Sequence, residues 1–428
     1  MLGVGFGVAV AVGNTIGAGI LRAPGEIAGQ LPHGGLFVAV WLAGGVYALL
    51  GAVQIAELGA MIPRSGGQYV FSRYALGEYA GFLVGWSDWI STCGTTAAVS
   101  IVAAEFVAVL FPRLVAWRPA LAIAIAVAFA LIQWRGVRWG SVVQNATSAV
   151  KAIAFIAVAA GAVLLGSQVS DTNAGGPSLP TGVALLTALV LSLQAVIYTY
   201  DGWTGAVYFS EEVDDPGRNV PRALFAGVVS IAVIYLLLNL SLLYVLPVSA
   251  VAGQPFAAGA LAEAAFGRSG STIFTIVVIL SMLSAINACH LMASRVLFAM
   301  SRDGLFSTWG ASVNAGGTPA AALFLSAAVA VLFIALGRTF TTVITVLAFF
   351  FVANYTLSFV SVFVLRRREP AKPRPYRAWG YPWSTAFALA ASLAFLLGAV
   401  AGDTRHSAFA LLLLAASYPV FRLSRRRA

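Results

Sequence analysis

The chain has 428 residues, of which 60% are hydrophobic and only 9% charged, with a mean hydropathy of +0.91. No soluble domain has that balance, so the sequence reads as an all-α polytopic membrane protein. The net charge of +10 does not mark a nucleic-acid partner: the basic residues fall in short runs between apolar spans, without a patch of interleaved aromatics.

Apolar runs of about 20 residues predict twelve spans, at 3–31, 35–62, 79–110, 119–134, 142–168, 181–212, 222–247, 270–301, 319–337, 340–366, 383–402 and 406–422. An even number places both termini on one side. The loops and ends on that side, with Arg138 and the Arg422–Arg427 run among them, hold 19 of the basic residues. The other side holds 6, namely Arg22, Arg113, Arg118, Arg268, Arg338 and Arg405. The first set is therefore expected to be cytoplasmic. No basic stretch precedes the first span, so it does not read as a cleavable signal peptide. The chain enters the membrane almost at once, and a short cytoplasmic tail is expected ahead of it.

Span one contains GNTIGAGILRAPGEIAGQ, Gly13–Gln30, with Gly13, Gly17 and Gly19 interrupting a helix. In lipid every backbone N–H and C=O needs a partner inside the protein. A helix loosened at Gly17–Ala18–Gly19 is tolerable where the freed groups line a cavity or hold a ligand. The N–H groups opening its second half suit a carboxylate, and the carbonyls closing its first half suit a cation. The other reading is close helix packing through small residues.

Span two ends in AELGAMIPRSGGQYVF, with Pro63, Gly66 and Gly67 marking a cytoplasmic turn. Glu57 before that turn, and Asp88 and Glu105 in span three, read as partners for a nearby arginine or as walls of a water-filled path. In span five, Lys151 lies ten residues past the expected cytoplasmic edge, about 15 Å deep at 1.5 Å per residue. That exceeds comfortable snorkelling and implies a role inside the bundle. Counting it as buried leaves the loop bias at 18 against 6.

Span six is the second broken segment. Tyr198, Tyr200, Asp201, Gly202 and Trp203 crowd its middle, and Asp–Gly is turn chemistry. Asp201 reads as the N-cap of a restarted half-helix, as a carboxylate near a substrate ammonium or hydroxyl, or as both. Pro216 and Pro221 are expected to stop any helix in the charged exit Glu211–Arg222.

The broken spans hold matching places in two blocks of five, 1–168 and 181–366. An odd number of spans per block makes the second block enter from the opposite side, giving an inverted repeat with its site at the membrane middle. The last two spans, 383–422, fall outside it. In span eight, Ser281, Ser284 and Asn287 step by three along one face, either to meet Lys151 or to make interhelical hydrogen bonds. His290 reads as a core histidine. The Arg366–Arg368 and Arg422–Arg427 runs read as topology anchors touching anionic lipid. No metal-ligand spacing, phosphate loop or nucleophile–base pair appears, so neither a metal nor a cofactor is expected. A membrane-embedded enzyme is the reading these absences disfavour.

GNTIGAGIL, AELGAMIPRSGGQYVF, FSEEVDDPGRNVPRAL and ASRVLFAMSRDGLF together resemble the amino acid–polyamine–organocation superfamily. YDGW and the span-five lysine are most similar to its L-type amino acid transporter-like branch, in a bacterial version. The resemblance implies a LeuT-type five-plus-five inverted repeat of twelve transmembrane helices, with helices 1 and 6 discontinuous, in the bacterial cytoplasmic membrane. It implies alternating-access transport of neutral L-amino acids, by exchange or with protons, and without sodium. The residues carried over for the substrate are Thr15, Ile16, Gly17, Ala18 and Gly19 at its carboxylate, with Tyr198, Thr199, Tyr200 and Asp201 on the ammonium side. Tyr198 and Trp203 are the gating aromatics, and Lys151, Ser281 and Ser284 the coupling group. Three features depart from the pattern, one of them Ala18, which stands in place of a serine common there. The stretch 111–119 lacks the cysteine that links animal members to a heavy chain, so no disulfide-linked partner is expected. Asp201 stands where many members have glycine, which admits a cationic amino acid or polyamine as the alternative substrate.

Overall fold

The computed structural model describes the backbone of residues 3–135, 137–337 and 340–425. Of the arginines named above, Arg338, Arg426 and Arg427 lie outside the described residues, as do the side chains of Arg138, Arg268 and Arg425. The described regular elements are all helical. The first span is a bent pair, α1 (Val4–Thr15) and α2 (Ala18–Gln30), turned by 45° at Ile16–Gly17. Next come α3 (Gly34–Met61), α4 (Gln68–Leu76), α5 (Glu78–Leu110), α6 (Arg118–Trp134) and α7 (Val137–Leu165). The second half holds α8 (Gly182–Tyr200), a 3-10 segment (Trp203–Glu212), α9 (Pro216–Val245), α10 (Val248–Val251) and α11 (Ala257–Arg302). It continues with α12 (Ala320–Gly337), α13 (Phe340–Arg368), α14 (Trp383–Gly402), α15 (Thr404–Ala415) and α16 (Ser417–Arg425).

Ten helical stretches among the described residues are long and apolar enough to cross a bilayer, and the α1–α2 pair makes an eleventh. The ninth expected span is the apolar helix α12, described at its apolar core over Ala320–Leu336, so eleven of the twelve expected spans are matched at full length among the described residues. Other boundaries also differ from the expectation. The turn after α3 leads into α4, whose Tyr69, Phe71 and Ser72 are fully buried. Pro216 starts α9 rather than ending a helix, because the first helical position needs no N–H donor. Pro221 lies inside α9, where its missing N–H removes the bond to the carbonyl four residues back, at Gly217.

Helices α5 and α11 pack on one another through the middle of the bundle. Helix α1 lies among α7, α9 and α11 and against the 3-10 segment, while α2 lies against α8. Each half of one broken span thus packs on a half of the other. Helix α6 and the terminal α15 and α16 pack at the rim and present most of their apolar surface outward.

The membrane-depth acids divide. Glu57 is buried and fully engaged: Arg366 forks it with two 2.7 Å bonds, Arg374 adds one at 3.1 Å and the Ala378 N–H one at 2.7 Å. Such a paired, hydrogen-bonded charge is tolerated in the interior, and breaking it costs about 3–5 kcal/mol. Glu105 pairs with Arg22. Asp88 takes the other course, facing a cavity. No arginine pairs with it among the described residues; its carboxylate instead accepts from the Tyr208 hydroxyl.

Candidate functional site

The break in span one is short. The Ile16 N–H still reaches the Val12 carbonyl at 3.0 Å, and helical geometry is lost at Ile16 and Gly17 before α2 begins. The first N–H groups of α2 precede any carbonyl of that helix able to accept from them, and no side chain caps them. Gly19 packs so tightly on the second broken span that a Cβ there would sit 2.7 Å from Thr199 Oγ1 and 2.9 Å from its Cα. Gly17 is different: its nearest neighbour would be 3.8 Å from an added Cβ.

The second break runs through Asp201, which is extended, and Gly202, whose φ of 109° belongs to glycine. The two breaks touch. A Cβ on Gly202 would lie 2.7 Å from Asn14 Nδ2 and 3.0 Å from the Thr15 amide nitrogen. The buried Tyr235 hydroxyl lies 2.7 Å from the Thr15 carbonyl and 2.9 Å from the Thr199 carbonyl, so one proton is shared between the two broken spans. No side chain caps the 3-10 segment, so Asp201 does not act as its N-cap. Its carboxylate accepts from the Tyr355 hydroxyl instead.

Lys151 lies behind the first break. Its ammonium donates to the carbonyls of Gly13 (2.8 Å), Ile16 (2.9 Å) and Ser281 (3.2 Å), which uses all three protons. Two of those carbonyls belong to the interrupted end of span one. The Ser281 hydroxyl adds a bond of 3.2 Å to Ile16 O. Ser284 receives the Thr147 hydroxyl at 2.7 Å, and Asn287 joins Gln133 and Gln144. The polar stripe of α11 therefore does both things expected of it: one end meets Lys151 and the rest ties helices together. His290 bonds the Ala126 carbonyl at 3.0 Å in the core.

Both breaks line a narrow cavity with about 30 Å³ of free volume, room for a water or two rather than an amino acid. Of the expected site residues, Thr15, Gly17, Ala18, Gly19, Tyr198, Thr199 and Asp201 line it. Ile16, Tyr200, Trp203, Lys151, Ser281 and Ser284 do not. Tyr200 turns its hydroxyl to the Trp41 carbonyl at 3.3 Å. Trp203 stacks on Tyr355 at 5.4 Å and fills the space opposite Gly51. Tyr198 stacks on Phe351, another lining residue, at 6.4 Å.

Sequence reasoning missed much of the wall. Asn14 and Thr204 flank the breaks, and Tyr208, Cys289 and Gln68 complete the polar lining. Asp88, Thr92, Thr95 and Val99 line it from α5. Their spacing of four, three and four is one helical face, a signal present in the sequence. The Thr15 hydroxyl is buried in the lining without a hydrogen-bond partner.

Ion pairs tie together the helices around the cavity. Arg22 of α2 holds Glu105 of α5. Asp303 receives Arg73 at 2.6 Å, Arg64 at 3.1 Å and the Tyr69 hydroxyl at 2.8 Å. Arg295–Glu212 and Arg302–Glu211, each 3.1 Å, fasten α11 to the end of the 3-10 segment.

An apolar helical bundle whose two broken spans meet at a closed polar cavity defines a multi-pass membrane transporter. A sequence profile described as amino acid permease matches residues 7–417, and the chain belongs to that family. The resemblance drawn from the motifs is thereby confirmed, and the chain is an amino acid transporter rather than an enzyme. It is 27% identical over 437 residues to the serine/threonine exchanger SteT of Bacillus subtilis, an alignment covering 100% of this chain and 97% of that one. It is 30% identical over 314 residues to the human b(0,+)-type amino acid transporter 1, covering 71% of this chain and 63% of the relative. With the mouse Asc-type amino acid transporter 1 it shares 27% over 382 residues, covering 86% and 71%.

Proposed function

We propose that the chain moves α-amino acids across the bacterial cytoplasmic membrane by alternating access, with both termini cytoplasmic, and that it works as an exchanger. In this reading the N–H groups of Gly17, Ala18 and Gly19, with the Thr15 hydroxyl, seat the α-carboxylate at the positive end of α2. The carbonyls of Thr15 and Thr199, and Asp201 beside them, take the α-ammonium. Each carbonyl keeps a second lone pair beyond its Tyr235 bond. The single observation that carries the reading is the convergence of both breaks on one cavity, with the buried Thr15 hydroxyl unpartnered in its wall.

Lys151 acts as a fixed cation that holds the interrupted end of α1 in shape, with Ser281 and Ser284 in support, and its charge makes a sodium ion superfluous. Tyr198 gates the cavity. Trp203, packed away from the cavity, serves instead as a wedge behind the second break. The division into repeats at 1–168 and 181–366, with 383–422 added, is supported by the reciprocal packing of the half-helices. Both cysteines, Cys93 and Cys289, are buried, which supports function without a disulfide-linked partner. Exchange is favoured over proton coupling by the similarity to SteT, a serine/threonine exchanger. The expectation of a neutral substrate is set against two carboxylates in the wall, Asp88 and Asp201, which favour the cationic alternative.

The test is uptake of labelled amino acids into proteoliposomes with empty or amino-acid-loaded lumens. Exchange predicts uptake only into loaded vesicles. Equal uptake into empty vesicles, driven by an inward proton gradient, would replace exchange with symport.

A further inference from the structure

Asp88 is not among the residues expected to bind substrate, yet it occupies a place on the cavity wall that polar packing does not explain. It lies on α5, across from the broken spans, and is 4% exposed. Both of its oxygens are 2.8 Å from one hydroxyl, that of Tyr208, which has a single proton to give. A carboxylate has about four acceptor sites. Among the described residues no lysine, arginine or histidine forms an ion pair with Asp88 or Asp201, and none lines the cavity. The contrast within the molecule is sharp. Glu57, equally buried, has two arginines and a backbone N–H. Glu105 has Arg22, and Asp303 has Arg64 and Arg73. Lys151 offers no relief, since its protons are all spent on carbonyls behind the unwound segment.

The charges can be counted against a bound ligand. Buried charges are tolerated when they are paired. A zwitterionic amino acid with a neutral side chain brings one cation, its α-ammonium, to a wall holding two carboxylates. An amino acid with a second amine brings two. We infer that Asp88, steadied by Tyr208, is the acceptor for a cationic substrate side chain, and that the chain selects α-amino acids carrying a second basic group. Asp201, adjacent to the break, is left for the α-ammonium. This inference rests on the amino acid seat proposed above and adds the side-chain class to it.

The experiment compares isosteres in exchange by the full chain in proteoliposomes, using lysine against norleucine and ornithine against norvaline as competitors of a labelled amino acid panel. A site built to pair a buried charge discriminates strongly against the analogue that leaves it unpaired. Lysine and ornithine are expected to compete at least tenfold better than their neutral isosteres. Asp88→Asn is expected to bring lysine and norleucine to within twofold of each other as competitors, whatever its overall rate of exchange. Norleucine competing as well as lysine in the wild-type protein would overturn the inference, a result that does not depend on any variant folding. So would an Asp88→Asn protein that loses basic and neutral exchange equally, which marks a structural role. Exchange of neutral amino acids alone defeats this inference and leaves the proposed function standing, whereas exchange of no amino acid defeats both.

Discussion

Replacing Lys151 with methionine tests what holds the first break open. Methionine keeps an unbranched stem of similar reach to Cε and removes the ammonium. The structure then leaves the Gly13 carbonyl, bonded at 2.8 Å, without its donor at a point where the helix supplies no N–H. An orphaned buried carbonyl costs about 1–3 kcal/mol. Ile16 O keeps the Ser281 hydroxyl at 3.2 Å but loses a charge-assisted partner, a further loss of roughly 1–2 kcal/mol. Ser281 O remains inside the regular helix α11 and contributes little. The sum, about 2–5 kcal/mol, falls on the conformation in which the break presents its N–H groups to the cavity. At about 1.4 kcal/mol per tenfold, the lower bound corresponds to roughly a thirtyfold rise in the apparent KM for exchange. The assay is concentration-dependent exchange in proteoliposomes, with thermal unfolding in detergent as the companion measurement. Lys151→Met is therefore expected to weaken exchange and lower the unfolding temperature together. A variant within twofold of wild type in KM, with an unchanged melt, would refute the claim that this ammonium shapes the break.

Two further outcomes follow from the same geometry. Gly19→Ala drives a methyl to within 3 Å of the Thr199 backbone. It is expected to cost about 1–3 kcal/mol by overpacking, read as a lower melting temperature, whereas Gly17→Ala, with 3.8 Å to its nearest neighbour, should melt like wild type. Equal melting of the two variants would show that α2 and α8 are not packed as described. Cys289 lines the cavity, with its thiol 3.2 Å from Asn14 Oδ1, while Cys93 is buried and not in the lining. A small thiol reagent should inactivate a Cys93→Ala protein, and a transported amino acid should slow that inactivation at least threefold. Inactivation at an unchanged rate with saturating substrate would place the substrate elsewhere.

The parts legible from sequence share a physical cause. A glycine-broken apolar span and a lysine ten residues deep in another are each expensive in lipid, and expense narrows the explanations. Lys151 accordingly sits on the carbonyls of the broken span, as its depth implied. What could not be read depends on rotation about helix axes and on distant pairs. Helix α5 also carries Ser87, Ser91, Thr96 and Ser100 on other faces, so the spacing of Asp88, Thr92 and Thr95, though present, did not single out their face as the one turned to the cavity. The family resemblance made Trp203 a gating aromatic. The structure packs its indole against Tyr355 and across from Gly51, a partner 152 positions away that no local pattern could supply. Glu57 and Asp88 looked alike in sequence, each an acid inside a span. Their difference lies in Arg366 and Arg374 reaching one while, among the described residues, no basic side chain pairs with the other. An acid's partner decides whether it is structural or available to a ligand, and here that partner comes from more than 300 residues away.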